Sequence, residues 1–159
     1  MANRVTAVLV PDGIQVVPDH AAMQALGRTL AQDLSPGDVV LLHGDLGAGK
    51  TTLVQGIAAG MGVVEPIQSP TFGLVADHQG WLADGQKVTL HHLDLYRLET
   101  ADELEDLGYD QFLDPADGVS LIEWPERAED WLPERFLLVR ITHAPGGGRY
   151  VEISRHLAE

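Results

Sequence analysis

Apolar residues at Met23, Leu26, Leu30 and Leu34 recur at spacings of three, four and four, which predicts one buried face of a helix. Pro18-Asp19 supplies a plausible start for it, and a weaker strand pattern precedes it at Ile14 to Val17. Ser35-Pro36-Gly37-Asp38 is a turn. Val39 to Leu42 is a continuous apolar run, the pattern of a strand covered on both faces. A second helix follows, with Leu53, Val54, Ile57, Ala58 and Met61 on its buried side and a stop near Gly60 and Gly62. Phe72 to His78 and Lys87 to Tyr96 read as extended, with Gly80 to Gln86 as a loop between them. Thr100 and Glu103 form a capping-box pair opening a short helix through Leu104 and Leu107. Val119 to Ile122 is another buried-strand run, ended by Glu123-Trp124-Pro125. Arg135 to Thr142 and Tyr150 to Ser154 alternate as strands do, and Pro145 to Gly148 reads as the hairpin loop between them. Strand–loop–helix units with strands left over predict an α/β fold of three layers, a central mixed sheet flanked by helices.

Composition narrows what such a fold can do. The 159 residues predict a single domain, and with 45% apolar and 21% charged residues the chain can build a core without staples. It has no cysteine, which excludes disulfides, thiolate metal sites and a cysteine nucleophile. A formal net charge of −14 repels phosphate backbones and anionic lipid surfaces, so autonomous DNA or RNA binding is disfavoured. No apolar run approaches the length needed to span a bilayer, and the expected location is the cytoplasm.

The chemistry sits after the first buried strand. Gly44-Asp45-Leu46-Gly47-Ala48-Gly49-Lys50-Thr51-Thr52 contains the G-x-x-x-x-G-K-T pattern of a P-loop, between an apolar strand and a helix as that loop requires. Successive N–H groups from Asp45 to Thr51 can converge on phosphate oxygens as an anion nest, and the following helix adds the positive end of its dipole. Lys50 is placed to reach the β- and γ-phosphates, and the Thr51 hydroxyl to ligate Mg²⁺. Acidic groups near the metal are offered at two strand ends, Asp94 after Leu90-His91-His92-Leu93 and Glu123 after Val119-Ser120-Leu121-Ile122. Either could be an ordinary solvated carboxylate, but ligands in such sheets gather at the carboxyl ends of strands.

Other residues carry weaker signals. Ser69-Pro70-Thr71-Phe72 lies where many P-loop proteins keep a nucleotide-sensing switch, with two hydroxyls on a stiffened turn; a plain loop is an equal alternative. His91 and His92 are adjacent, so on a strand they face opposite ways and cannot easily share a metal; a structural role is the better assignment for both. Trp81, Trp124 and Trp131 are too spread out to form a base-stacking platform. The acidic run Asp102 to Asp106 is a solvated helix face or a docking surface for a basic partner. Arg149, after the glycine-rich turn, could reach a nucleotide.

Taken in order, the P-loop, Ser69-Pro70-Thr71-Phe72, His92-Leu93-Asp94-Leu95-Tyr96-Arg97-Leu98, Leu107-Gly108 and Ile122-Glu123-Trp124-Pro125-Glu126 are more specific than a P-loop alone. The chain resembles the TsaE family, the small P-loop ATPases of bacterial tRNA threonylcarbamoyladenosine (t6A) synthesis, over approximately residues 15–155. That resemblance implies a P-loop NTPase-like fold, with ATP as substrate, ADP as product and Mg²⁺ as cofactor. Residues 45–52 and Arg149 would bind the nucleotide, Arg149 through a less specific Gly148-Arg149 match. Thr51 and Glu123 match the family's Mg²⁺ positions, Asp94 a carboxylate needed for hydrolysis, and Ser69 to Phe72 the switch-like loop. The helix region around Asp19 and His20 would help enclose the adenine. The implied partners are TsaB and TsaD, which modify adenosine 37 of tRNA, so that tRNA is met only through the complex. Two other functions stay open on the residues themselves: a small-molecule or nucleotide kinase, against which the scattered arginines speak, and a nucleotide-gated binding module with incidental hydrolysis.

Overall fold

In a computed structural model of the chain, residues 13–45, 47–67, 74–100, 102–128 and 130–157 are described. The strands and helices, all but α4 predicted above, are in chain order β1 (Gly13–Val17), α1 (His20–Ala31), β2 (Val39–His43), α2 (Lys50–Gly60), β3 (Val75–Trp81), β4 (Lys87–Asp94), α3 (Asp102–Leu107), α4 (Asp110–Leu113), β5 (Gly118–Glu123), β6 (Phe136–His143) and β7 (Arg149–His156). A 3-10 turn, Pro125–Ala128, follows β5. The strands form one mixed sheet in the order β1-β7-β6-β2-β5-β4-β3. β6, β2, β5 and β4 are parallel, whereas β1, β7 and β3 join antiparallel at the two edges.

Side-chain alternation assigns the layers. Val40 and Leu42 of β2, with Val119 and Leu121 of β5, pack beneath α1 and α2. Val39, Leu41 and Ile122 face the opposite way, into a second cluster with Leu104, Tyr109 and Phe112 from α3, α4 and the residues beside them. The three-layer α/β architecture expected from the sequence is therefore the observed one.

Local chemistry explains the element ends. The Asp19 carboxylate accepts from Ala22 N at 2.8 Å and caps α1. α1 ends at Ala31, and Leu34 continues its apolar face from the turn beyond, where it is still buried. The Glu103 carboxylate accepts from Thr100 N at 3.0 Å, closing half of the predicted capping box. β4 stops at Asp94 rather than Tyr96, because the Asp94 side chain accepts from Tyr96 N at 3.0 Å and turns the chain. β3 runs on through Gly80 and Trp81, two residues assigned above to a loop, since Trp81 pairs with Lys87 in the β3–β4 hairpin.

α1 and α2 approach closely through glycines. A Cβ on Gly56 would lie 2.3 Å from Gln24 O, and one on Gly27 would lie 2.5 Å from Leu53 O. Gly56→Ala is therefore expected to force the helices apart and to destabilise the fold by about 1–3 kcal/mol, read as a lower midpoint in urea. Because α2 begins at the P-loop, this helix pair also fixes the loop's direction.

Candidate nucleotide site

β2 carries the chain straight to the carboxyl edge of the sheet, where it turns through Gly44 and Asp45 into α2. Gly49, immediately before α2, has φ 115°, a left-handed conformation that a side chain would strain. Leu53 N bonds to Gly49 O at 2.9 Å, so α2 winds directly out of the loop. The N–H groups of that first helical turn face outward from the helix end, as anion binding there requires.

Lys50 lies back along the loop. Its ammonium donates to Gly44 O and, at 3.1 Å, to Asp45 O, and sits 4.0 Å from the centre of the Trp124 ring, a cation–π distance. Burial lowers the Lys50 pKa from the ordinary lysine value, and the surrounding carboxylates Glu123, Glu126, Asp94 and Asp45 act in the opposite direction. Four carboxylates around one lysine disfavour a bare triphosphate and favour one that arrives with a divalent cation.

β4 and β5 bring the two predicted acids side by side. Asp94 and Glu123 are register partners at the ends of these parallel strands. Glu123 is buried, and its Oε2 lies 2.6 Å from Nε2 of the fully buried His92. Asp94 is half-buried, with one oxygen taken by Tyr96 N. Trp124, directly after Glu123, is the one non-glycine residue with positive φ (59°) among the described residues. That turn swings its ring over Lys50 and against Tyr96, 4.9 Å between centroids.

Arg149 opens β7 and reaches back across the sheet. Its Nε donates to Ala48 O at 2.8 Å and one terminal nitrogen to Gly47 O at 3.1 Å. The guanidinium thus braces the outer side of the P-loop. On the other flank, His20 Nδ1 lies 3.4 Å from the Thr52 hydroxyl, joining the start of α1 to the loop. Leu46 and the segment Ser69, Pro70, Thr71 and Phe72 lie outside the described residues. The flanks of that segment are anchored beside the site: Ile67 O accepts from Gln55 of α2 at 3.4 Å, and Leu74 O from Asp94 N at 2.9 Å.

The donor set suits Mg²⁺. Thr51 and Glu123 offer hard oxygens, the ligands that ion prefers. Among the described residues no group of three or more His, Asp or Glu side chains could cage a metal. An ion held by one or two protein oxygens and completed by phosphates and water needs no such cage. A separate cleft opens at the other end of the sheet, lined by Asp33, Asp38, Glu134, Arg135 and Arg155 among others, and no P-loop residue reaches it.

Thus Lys50, Asp94, Glu123 and Arg149 converge as one constellation at the carboxyl edge. Two features of it are absent from the sequence reading: the His92–Glu123 contact, and the hydrogen bonds from Arg149 to loop carbonyls. The first was accessible in principle, because His92 stands two residues before Asp94 on the same strand face.

Comparisons with known proteins bear on the family and the fold. A family model described as threonylcarbamoyl adenosine biosynthesis protein TsaE matches residues 17–151. A protein of Nostoc named tRNA threonylcarbamoyladenosine biosynthesis protein TsaE is 43% identical over 138 residues, 86% of this chain and 82% of its own. A Bacillus subtilis protein of the same name is 39% identical over 147 residues, 84% of this chain and 88% of its own. A crystal structure of YdiB from Bacillus subtilis superposes with a TM-score of 0.74 at 30% identity, covering 94% of this chain and 88% of that one. With a family model matching residues 17–151 and relatives of that name 43% and 39% identical over most of its length, the chain belongs to the TsaE family.

Proposed function

We propose that this protein is a Mg²⁺-dependent ATPase serving tRNA t6A biosynthesis in the cytoplasm, working with a TsaB–TsaD transferase complex and meeting tRNA only through it. The observation that carries the proposal is the placement of Asp94 and Glu123 side by side at the P-loop, on top of family membership. The whole chain acts as one ATPase domain. Among the described residues no helix is long and apolar enough to cross a membrane.

Each residue has a task that its chemistry permits. The loop amides of residues 45–52 and the dipole of α2 hold the phosphates, with Arg149 fixing the loop's shape from outside. Lys50 exchanges its two carbonyl partners for phosphate oxygens. Thr51 and Glu123 would hold Mg²⁺, which supplies charge neutralisation at the β- and γ-phosphates. Asp94 keeps one carboxylate oxygen free of Tyr96 N, placing it to orient the attacking water and accept its proton. Ser69 to Phe72 would act as the switch segment, reporting nucleotide state to the partner.

The direct test of the site is Lys50→Ala. Losing one charge-assisted contact of about 1.5–3 kcal/mol should weaken MgATP binding by about ten- to a hundredfold, measured by titration calorimetry on a variant with wild-type circular dichroism. Undiminished ATP affinity would remove the loop from the nucleotide site.

A further inference from the structure

Glu123 is buried and could not keep a fixed orientation without a partner; the partner is on the neighbouring strand. His92 and Asp94 share one face of β4, and pairing with β5 brings that face beside Glu123. His92 is fully buried, and its Nε2 lies 2.6 Å from Glu123 Oε2. A carboxylate can only accept, so the imidazole is the donor. Nδ1 has no hydrogen-bond partner among the described residues, so this ring's polar contact is with Glu123.

We propose that His92 is a positioning residue for the metal: it holds Glu123 by one oxygen and leaves the other to ligate Mg²⁺. This rests on the reading of Glu123 as a metal carboxylate. The reason for such a hold is visible in the site. Of the carboxylates that act on the Lys50 ammonium, Glu123 acts most strongly. A Glu123 released from its histidine is drawn to Lys50, where it competes with phosphate and is lost to the metal. Hydrogen-bonded partners of metal ligands characteristically control ligand orientation, and their removal costs about 10–100-fold in metal affinity.

The test compares His92→Gln, His92→Asn and His92→Leu with Glu123→Gln and with the His92→Leu/Glu123→Gln double variant. The readout is Mn²⁺ affinity of the ADP-bound protein, followed by electron paramagnetic resonance. A glutamine amide can place a donor near the position of the histidine Nε2, whereas an asparagine amide falls short of it. Accordingly, His92→Leu and His92→Asn should weaken Mn²⁺ binding by about 10–100-fold, and His92→Gln should recover much of the loss. In the Glu123→Gln background His92→Leu should cost nothing further, because His92 acts through that carboxylate. Wild-type Mn²⁺ affinity in His92→Asn or His92→Leu, with Glu123→Gln impaired, overturns the proposal and leaves the Glu123 reading intact. Unchanged affinity in Glu123→Gln itself overturns both.

A measurement on the unmutated protein covers the case in which the buried substitutions fail to fold. The His92 imidazole ¹⁵N resonances should shift when Mg²⁺ is added to the ADP-bound protein, and they should stay put when Mg²⁺ is added without nucleotide. Resonances indifferent to both additions reject the coupling between His92 and the metal.

Discussion

Asp94→Ala and Glu123→Ala are each expected to lower steady-state phosphate release from MgATP by about 10²–10⁴-fold, the range that a positioned acid–base group contributes. Glu103→Ala should stay near the wild-type rate. The contrast comes from placement. Glu103 spends its carboxylate on the backbone N–H groups of Glu99 and Thr100, at an exposed helix start. Asp94 and Glu123 instead end adjacent parallel strands and both act on Lys50. Neither substitution removes the loop amides or Lys50, so nucleotide binding should survive in both. Glu123→Ala should in addition raise the Mg²⁺ concentration needed for half-maximal turnover, and Asp94→Ala should leave it unchanged. Wild-type hydrolysis in both variants would mean that these carboxylates take no part in the reaction.

The isolated protein is expected to turn over slowly and to be stimulated by the transferase partners proposed for it by up to about 10³–10⁵-fold, the value of a supplied arginine in P-loop hydrolysis. Arg149 and Arg127, both in contact with residues of the site, are committed. Arg149 is bonded to the carbonyls of Gly47 and Ala48. Arg127 lies over the rings of Tyr96 and Trp124, at 5.4 and 6.0 Å, with a terminal nitrogen 3.5 Å from Leu98 O. In the proposed mechanism neither of these two supplies further positive charge at the γ-phosphate without rearranging, and a partner's arginine would supply it. In the proposed mechanism the segment containing Ser69 and Thr71 would be the relay, since Leu74, on its flank, is bonded to the backbone of Asp94. Ser69→Ala and Thr71→Ala should therefore weaken stimulation more than they weaken ATP binding. Phosphate release titrated with TsaB–TsaD complex checks this. Fast turnover without partners points to a stand-alone enzyme. Hydrolysis-dead variants that still support repeated tRNA modification point to a nucleotide-gated binding module.

Much of this architecture is legible in local pattern. Met23, Leu26 and Leu30 mark the buried face of α1, and the apolar runs ending in His43 and Glu123 mark strands buried on both faces. The P-loop's glycines and lysine declare their chemistry because phosphate binding constrains each position of a short contiguous segment. The four-residue α4 and the Pro125–Ala128 turn leave no such trace, being too short to display a period. His92 reads from sequence as a structural histidine because its partner is 31 residues away, and only the β4–β5 register brings the two together. Arg149 is similar: its acceptors in the loop lie 101 and 102 residues earlier, a relation that depends on β7 being placed beside β6.

That placement has a consequence for how the molecule is made. Among the described residues β1 has β7 as its sole neighbour in the sheet, and β7 is inserted between β1 and β6. A growing chain emits β1 before the other described strands, yet the strand it pairs with is complete only when residues 149–156 have been synthesised. The same late segment delivers the guanidinium that braces Gly47 and Ala48. The parallel centre and the helices α1 and α2 can assemble earlier, but the loop between them then lacks its outer support. Closing so long a stretch of chain is entropically slow, and the intermediate shows an unpaired β6 edge while it waits. Nucleotide binding, by filling the loop from its other side, should favour completion of the sheet, so that the proposed substrate would also act as a folding ligand.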